Sequence, residues 1–353
     1  MTSGDDRELL RHHGDVDAEP GLLDFAVNVR LDRPPEWLRA RLAAALDRLG
    51  RYPSAAEDRA AREAVAARHR RSADEVLLLG GAAEGFSLLS SLRPRLAALV
   101  HPSFTEPELA LRDAGVDVAR VVLDAADGYR LRPEAVPEDA DLVVLGNPTN
   151  PTSVLHPAEV VRALARPGRV VAVDEAFADT VPGEPESLAS CREPGLLVLR
   201  SLTKMWGLPG LRTGYALGEP ELLARLVRNR PHWPLGTLAF EAVLACCEPS
   251  ALAESEQAAR EFDEHRQDLV RRLAAVDVEI ALPASAPFLL LRVDNGEKVR
   301  AALRERGVAV RRGDTFPGLG PDHVRVAVRS PEHNALLVAA LEEIVGTDRG
   351  SAA

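Results

Sequence analysis

Lysine is nearly absent from this chain. Lys204 and Lys298 stand against a large excess of arginine. Chemistry that needs an amine side chain therefore has two candidates. Cysteine is also scarce: Cys191, Cys246 and Cys247 are the full set, at no metal-ligand spacing. That excludes a disulfide scaffold and a thiolate metal centre. Cys246-Cys247 lie in an apolar helical pattern and read as buried free thiols, which suits a reducing cytoplasm. No run of about 18 apolar residues occurs, so no membrane span is expected. The opening stretch, MTSGDDRELLRHHGD, has no apolar centre and does not read as a secretory leader. A basic surplus is missing too. The net charge of −11 argues against nucleic-acid binding. The local runs Arg68-His69-Arg70-Arg71 and Arg311-Arg312 read as helix ends and solvated faces.

What is present is an α/β pattern. The 353 residues, 46% hydrophobic and 27% charged, have room for two domains. Short apolar runs at 76–79, 96–100, 116–123, 142–145, 170–173, 196–199 and 214–217 alternate with helical segments. This predicts a mostly parallel sheet covered on both faces. After about residue 220 the alternation weakens. Residues 221–275 read as largely helical. Strands predicted at 278–282, 288–293, 308–311 and 324–328, with helices at 296–306 and 331–345, make a smaller α+β unit. The expected division is residues 51–250 as the large domain and 251–353 as the small one. Residues 1–50 are expected to be a polar arm, mobile in part, followed by a segment packing with the small domain.

The stretch SLTKMWGLPGLRTGY, Ser201–Tyr215, follows one of these strands. It carries two hydroxyls (Ser201, Thr203), the rare amine Lys204 and the guanidinium of Arg212. A neutral lysine attacks an aldehyde to form a Schiff base, and desolvation or a nearby cation makes it neutral. In open α/β sheets ligands bind beyond the carboxyl ends of the strands, and other polar groups fall at such ends. Gly81-Ala82-Ala83 lets backbone N–H groups approach a phosphate. Asn147, in Asn-Pro-Thr-Asn-Pro, sits on a loop stiffened by prolines. Asp174 closes the run VVAVD and needs a cationic partner. Singly, each has a plainer reading: a loop lysine, an Asx turn, a helix cap. Together they describe a site for pyridoxal 5′-phosphate. Lys204 holds the aldehyde, Asp174 protonates the ring nitrogen, and Asn147 binds the ring hydroxyl. Ala82, Ala83, Ser201 and Arg212 hold the phosphate.

In order and spacing, Gly-Asn-Pro-Thr-Asn-Pro-Thr, Val-Asp-Glu-Ala-Phe and Ser-Leu-Thr-Lys-x-x-Gly-x-x-Gly-x-Arg-x-Gly-Tyr resemble a class I/II pyridoxal-phosphate aminotransferase of fold type I. More narrowly, the chain is similar to the branch holding histidinol-phosphate aminotransferases and threonine-phosphate decarboxylases of cobalamin biosynthesis. The resemblance runs from about Asp24 to Val345. It implies that Phe104 stacks on the cofactor ring, and that Tyr52 reaches the cofactor phosphate of a neighbouring subunit in a homodimer. It also implies that Arg325 binds a substrate anion and that Asn28 lines the substrate pocket. Phe177 stands where histidinol-phosphate aminotransferases usually carry a tyrosine. Phe177, His13-Gly14 and Arg329 lean toward the cobalamin-type branch, with Arg329 as a second substrate cation. The resemblance implies transamination first, with threonine-phosphate decarboxylation second. A catalytically idle cofactor-binding protein is the reading from another class.

Overall fold

The computed structural model describes residues 4–276 and 278–351. The chain opens with two short helices, α1 (Gly4–Arg11) and α2 (Gly14–Asp17), then β1 (Leu23–Phe25) and α3 (Glu36–Ala45). Next comes α4 (Ala55–His69), started by a capping box. Ser54 Oγ accepts from Glu57 N, and Glu57 Oε2 accepts from Ser54 N at 2.8 Å. The α/β succession follows: β2 (Val76–Leu79), α5 (Ala82–Leu88), β3 (Leu96–His101), α6 (Glu106–Asp113), β4 (Asp117–Val122), β5 (Leu142–Gly146), α7 (Ala158–Arg162), β6 (Val170–Asp174), β7 (Leu196–Ser201) and β8 (Gly214–Leu217). Helices α8 (Pro220–Leu226), α9 (Thr237–Cys246) and α10 (Pro249–Leu273) lead to β9 (Glu279–Ile280), β10 (Phe288–Arg292), α11 (Gly296–Glu305), β11 (Val308–Arg312), β12 (His323–Ala327) and α12 (Pro331–Ser351).

The seven strands of the large domain run in the order β2-β8-β7-β6-β5-β3-β4. Only β8 is antiparallel to its neighbours. Both faces are apolar and covered, as a parallel sheet requires. Val143, Val171, Val173 and Val198 pack in one core, and Leu142, Val144, Ala172 and Leu197 in the other. The second sheet has the order β1-β11-β12-β10-β9 and a separate core that includes Phe25, Leu289, Val310 and Val326. The expected domain boundary falls inside one helix. α10 begins on the large-domain core at Ala251 and Ala258 and ends on the small-domain core at Leu269 and Leu273.

The first 50 residues differ from expectation. They do not form an arm joined to the small domain alone. α1 docks on the large domain, where Thr105 Oγ1 donates to Leu10 O at 2.7 Å and Arg7 Nη2 to Asp113 at 2.8 Å. β1 pairs in parallel with β11 of the small domain. α3 returns to the large domain, with Leu38 in its core and Trp37 edge-on to Trp206. Burial of Leu10 and Leu38, each contributing roughly 1.5–3 kcal/mol, holds this segment to the large domain on both sides of β1. Residues 1–3 lie outside the described residues. Among the described residues, no helix is long and apolar enough to cross a membrane.

Candidate active site

The carboxyl ends of β5, β6 and β7 open onto a cavity of about 370 Å³. Lys204, Asp174, Ser201, Arg212, Ala82, Ala83, Phe104, Asn28, Phe177 and Arg325 all line it. These residues lie far apart in sequence, and the fold brings them together: Asp174 and Ser201 close β6 and β7, Lys204 follows β7, Ala82 and Ala83 open α5, and Arg325 projects from within β12 of the second sheet.

The protonation states of the two central groups are displaced. Burial lowers the Lys204 amine to about 8, and the guanidiniums of Arg325 and Arg212 push the same way. Near neutrality a useful fraction of Lys204 is therefore an uncharged amine. Burial raises Asp174 to about 6, opposed by a hydrogen bond from Ala176 N at 3.1 Å and by Lys204. That single backbone donor leaves a desolvated carboxylate with capacity for a cation.

Beside them is an anion cradle. Ser201 Oγ and Thr203 Oγ1 lie 2.7 Å apart at the end of β7. Gly81, just before α5, has φ +82°, where a side chain would be strained. A Cβ there would sit 2.9 Å from Arg212 Nη2, so the guanidinium lies directly against the start of this helix. Arg212 makes one side-chain hydrogen bond, to Pro209 O, and is otherwise exposed. Phe104 stands beside His13, with ring centroids 5.3 Å apart, and Phe177 packs edge-on against Phe288.

The opposite wall belongs to the small domain. Arg311 and Arg325 face each other across the antiparallel β11–β12 pair. Both are buried. Arg325 Nη1 donates to Asn150 Oδ1 at 2.7 Å, Nη2 donates to Ala26 O, and Nε has no partner. Burial, and then Arg311, pull Arg325 down to about 9. Burial likewise pulls Arg311 down to about 10, against the carboxylate of Asp17. The amide of Asn28 is buried with neither oxygen nor nitrogen partnered. Unpaired buried polar atoms are costly and mark a place for a ligand.

A lysine, a carboxylate and an anion cradle in one cavity are matched by relationship. The family described as "Aminotransferase class I and II" matches residues 20–341. The chain belongs to this family. It is 55% identical over 333 residues to a histidinol-phosphate aminotransferase of Mycobacterium tuberculosis, covering 94% of this chain and 90% of that one. It is 31% identical over 341 residues to a threonine-phosphate decarboxylase of Salmonella typhimurium, covering 92% and 91%. The solved histidinol-phosphate aminotransferase of Clostridium acetobutylicum shares the fold, with a TM-score of 0.84 at 24% identity over 92% of this chain and 100% of that one.

Three site assignments change in this aminotransferase. Asn147 does not line the cavity. Its Nδ2 donates to His156 O at 3.0 Å and its Oδ1 accepts from His156 N at 2.7 Å, so the amide is fully engaged in bracing the loop. Asn150 lines the cavity instead. The signal was the repeated Asn-Pro-Thr: either asparagine fits the motif, and only the second reaches the site.

Arg329 is the second correction. Its Nε, Nη1 and Nη2 donate to the carbonyls of Asp24, Val29 and Val27 at 2.7–2.8 Å. It staples the segment carrying Asn28 rather than offering a free cation, and it does not line the 370 Å³ cavity.

Arg311, read as solvated, is the third. Period-two alternation puts Val308 and Val310 in the small-domain core and Arg311 on the other face. The same alternation picks out Arg325 on β12.

Tyr52 lies outside this cavity. It is 74% exposed and stacks on the exposed Trp233, with centroids 4.6 Å apart.

Proposed function

We propose that this aminotransferase works with pyridoxal 5′-phosphate bound to Lys204, and that its amino donor is a small phosphorylated amine of the histidinol-phosphate kind. The observation that carries the reading is the pairing of a buried lysine, its amine lowered toward neutrality, with a desolvated aspartate in one cavity. The residues fit the cofactor. Gly81 leaves space that a Cβ would fill beside Arg212, and Asp174 has room for a cation.

Ser201, Thr203, Arg212 and the N–H groups of Ala82 and Ala83 would hold the phosphate, as charge-assisted donors do. Asp174, ionised above about pH 6, keeps a proton on the ring nitrogen. Asn150 would donate to the ring hydroxyl, since Phe177 carries no donor. Phe104 supplies a flat apolar surface for the ring. When bound, the cofactor supplies an aldehyde that condenses with amines and a ring that withdraws electrons from the adjoining carbon. Lys204 Nζ would hold the cofactor aldehyde and, as the nearby base, would take and return the proton of the donor's amine-bearing carbon. Arg311 and Arg325 bind the anionic end of the donor and set which bond faces the ring.

Tyr52 and Trp233, with exposed Leu46 and Leu49, support a homodimer in which Tyr52 reaches the partner's cofactor phosphate. The three free thiols suit a cytoplasmic enzyme.

The test is a direct contest of substrates. With histidinol phosphate and a keto-acid acceptor, the holoenzyme should transfer the amine, and borohydride should trap the cofactor on Lys204. Lys204→Ala should lower turnover by roughly 10⁴-fold and abolish trapping. Carbon dioxide release from threonine phosphate without amine transfer would overturn the substrate reading. Protein that takes up no pyridoxal phosphate would overturn it entirely.

A further inference from the structure

Asp174 and Ser201 end two neighbouring parallel strands, β6 and β7, and both face the cavity. Their chain neighbours Glu175 and Arg200 do not, because successive side chains of a strand point to opposite faces. These two meet behind the site. Arg200 Nη1 donates to Glu175 Oε2 at 3.0 Å, and both residues are buried, at 2% and 1% exposure. Arg200 Nη1 also donates to Glu184 at 2.5 Å, and Arg68 Nη2 donates to Glu184 at 2.9 Å. Glu175 is held in turn by Ser187 Oγ and Leu188 N, each at 2.6 Å. Its own N–H continues the ladder to Leu199 O at 2.9 Å. The pair is held through Arg200 Nη1 and both carboxylate oxygens of Glu175, while Arg200 Nη2 is buried without a partner, and its contacts span β6, β7 and the loop at 184–188. A second cavity of about 390 Å³, lined by Arg68, Glu184 and Ser187, shares no lining residue with the active site.

A buried ion pair is a poor way to gain stability, since apolar residues of equal size often do as well. What it provides is direction: the carboxylate and guanidinium bond in one geometry. Here that geometry fixes the two strand ends from which the cofactor ligands project. We propose that Glu175 and Arg200 are positioning residues for pyridoxal phosphate, a strut holding Asp174 and Ser201 at their working separation. The inference rests on the cofactor reading above. It accounts for two charged residues inside the large domain that touch neither substrate nor cofactor.

Glu175→Gln tests it. This change keeps the size of the side chain, and Arg200 retains Glu184, so no cation is orphaned. The apoprotein should bind pyridoxal phosphate roughly ten- to a hundred-fold more weakly, as when an outer partner of a ligating side chain is lost. The visible circular dichroism of the bound cofactor should weaken, and kcat should fall more than KM rises. Ser187→Ala, a milder cut of the same strut, should move all three in the same direction by a smaller factor. If either folded variant binds the cofactor as wild type does, with unchanged visible circular dichroism, the strut is structural only and the proposal fails. Should Glu175→Gln not fold, Ser187→Ala decides by the same criterion. Wild-type protein that binds no pyridoxal phosphate would instead sink the cofactor reading.

Discussion

The two walls of the active-site cavity handle their charges in opposite ways. On the large-domain wall, Lys204 and Asp174 are shifted out of their ordinary protonation ranges and have few partners. On the small-domain wall, three arginines are already bonded to the protein. Arg329 has all three nitrogens on carbonyls of the segment at 24–29. Arg311 holds His12 O and Thr315, and Arg325 holds Asn150 and Ala26 O. One wall keeps reactive groups unsatisfied, at a cost to the folded protein. The other uses cations to tie the N-terminal segment over the site, leaving Arg325 and Arg311 at the cavity surface. On the proposed reading, chemistry and substrate grip are separated by domain.

The arginines offer the strongest way to break this contrast. Arg325→Ala should lower kcat/KM for a phosphorylated donor by roughly 10²–10³-fold, the loss expected for one partner of a buried charged hydrogen bond. Arg329→Ala should instead lower unfolding free energy by roughly 2–4 kcal/mol as three carbonyls lose their donors. Preference for phosphorylated over unphosphorylated donors should stay unchanged. Measured selectivity that follows Arg329 rather than Arg325 would reverse the division.

A smaller effect sharpens the other wall. Burial raises the folded pKa of Asp174 to about 6, above the ordinary aspartate value of about 4. Its contribution to stability is therefore complete below pH 4 and is lost as pH rises through about 6. Asp174→Asn should stabilise the apoprotein at pH 8 by roughly 1–3 kcal/mol and change little at pH 4. Denaturant melts of the apoprotein at both pH values read this directly; equal effects at the two would show that burial does not strain the carboxylate. The smallest contrast lies between the two asparagines. Asn147→Ala should cost about 1–2 kcal/mol through the loop at His156 and leave the visible band of the bound cofactor in place. Asn150→Ala should move that band with little loss of stability. A band shift from Asn147→Ala alone would return it to the site.

Lys204, proposed as the covalent residue, stood out because lysine is so rare and because it follows a strand that recurs as β7. Asp174 was legible for the same reason: a carboxylate closing an apolar run sits at the ligand-binding edge of an α/β sheet wherever the run is placed. Asn150 was missed because two copies of Asn-Pro-Thr are equivalent until the loop folds and one amide turns to His156. The docking of the N-terminal 50 residues on the large domain was not expected because its partners there, Asp113 and Thr105, are remote in sequence, while the pairing of β1 with β11 matches the expected packing on the small domain.

By itself, the amino-acid sequence determined the order of strands and helices, the α/β class and the residues at the strand ends, all set by local periodicity and turn chemistry. Tertiary structure alone decided which arginines line the cavity. Alternation along a strand tells which side a residue takes but not what lies there. The carbonyls that engage Arg329 come from residues 300 to 305 positions away. Only the closing of the N-terminal segment onto the small-domain sheet distinguishes a staple from a substrate cation.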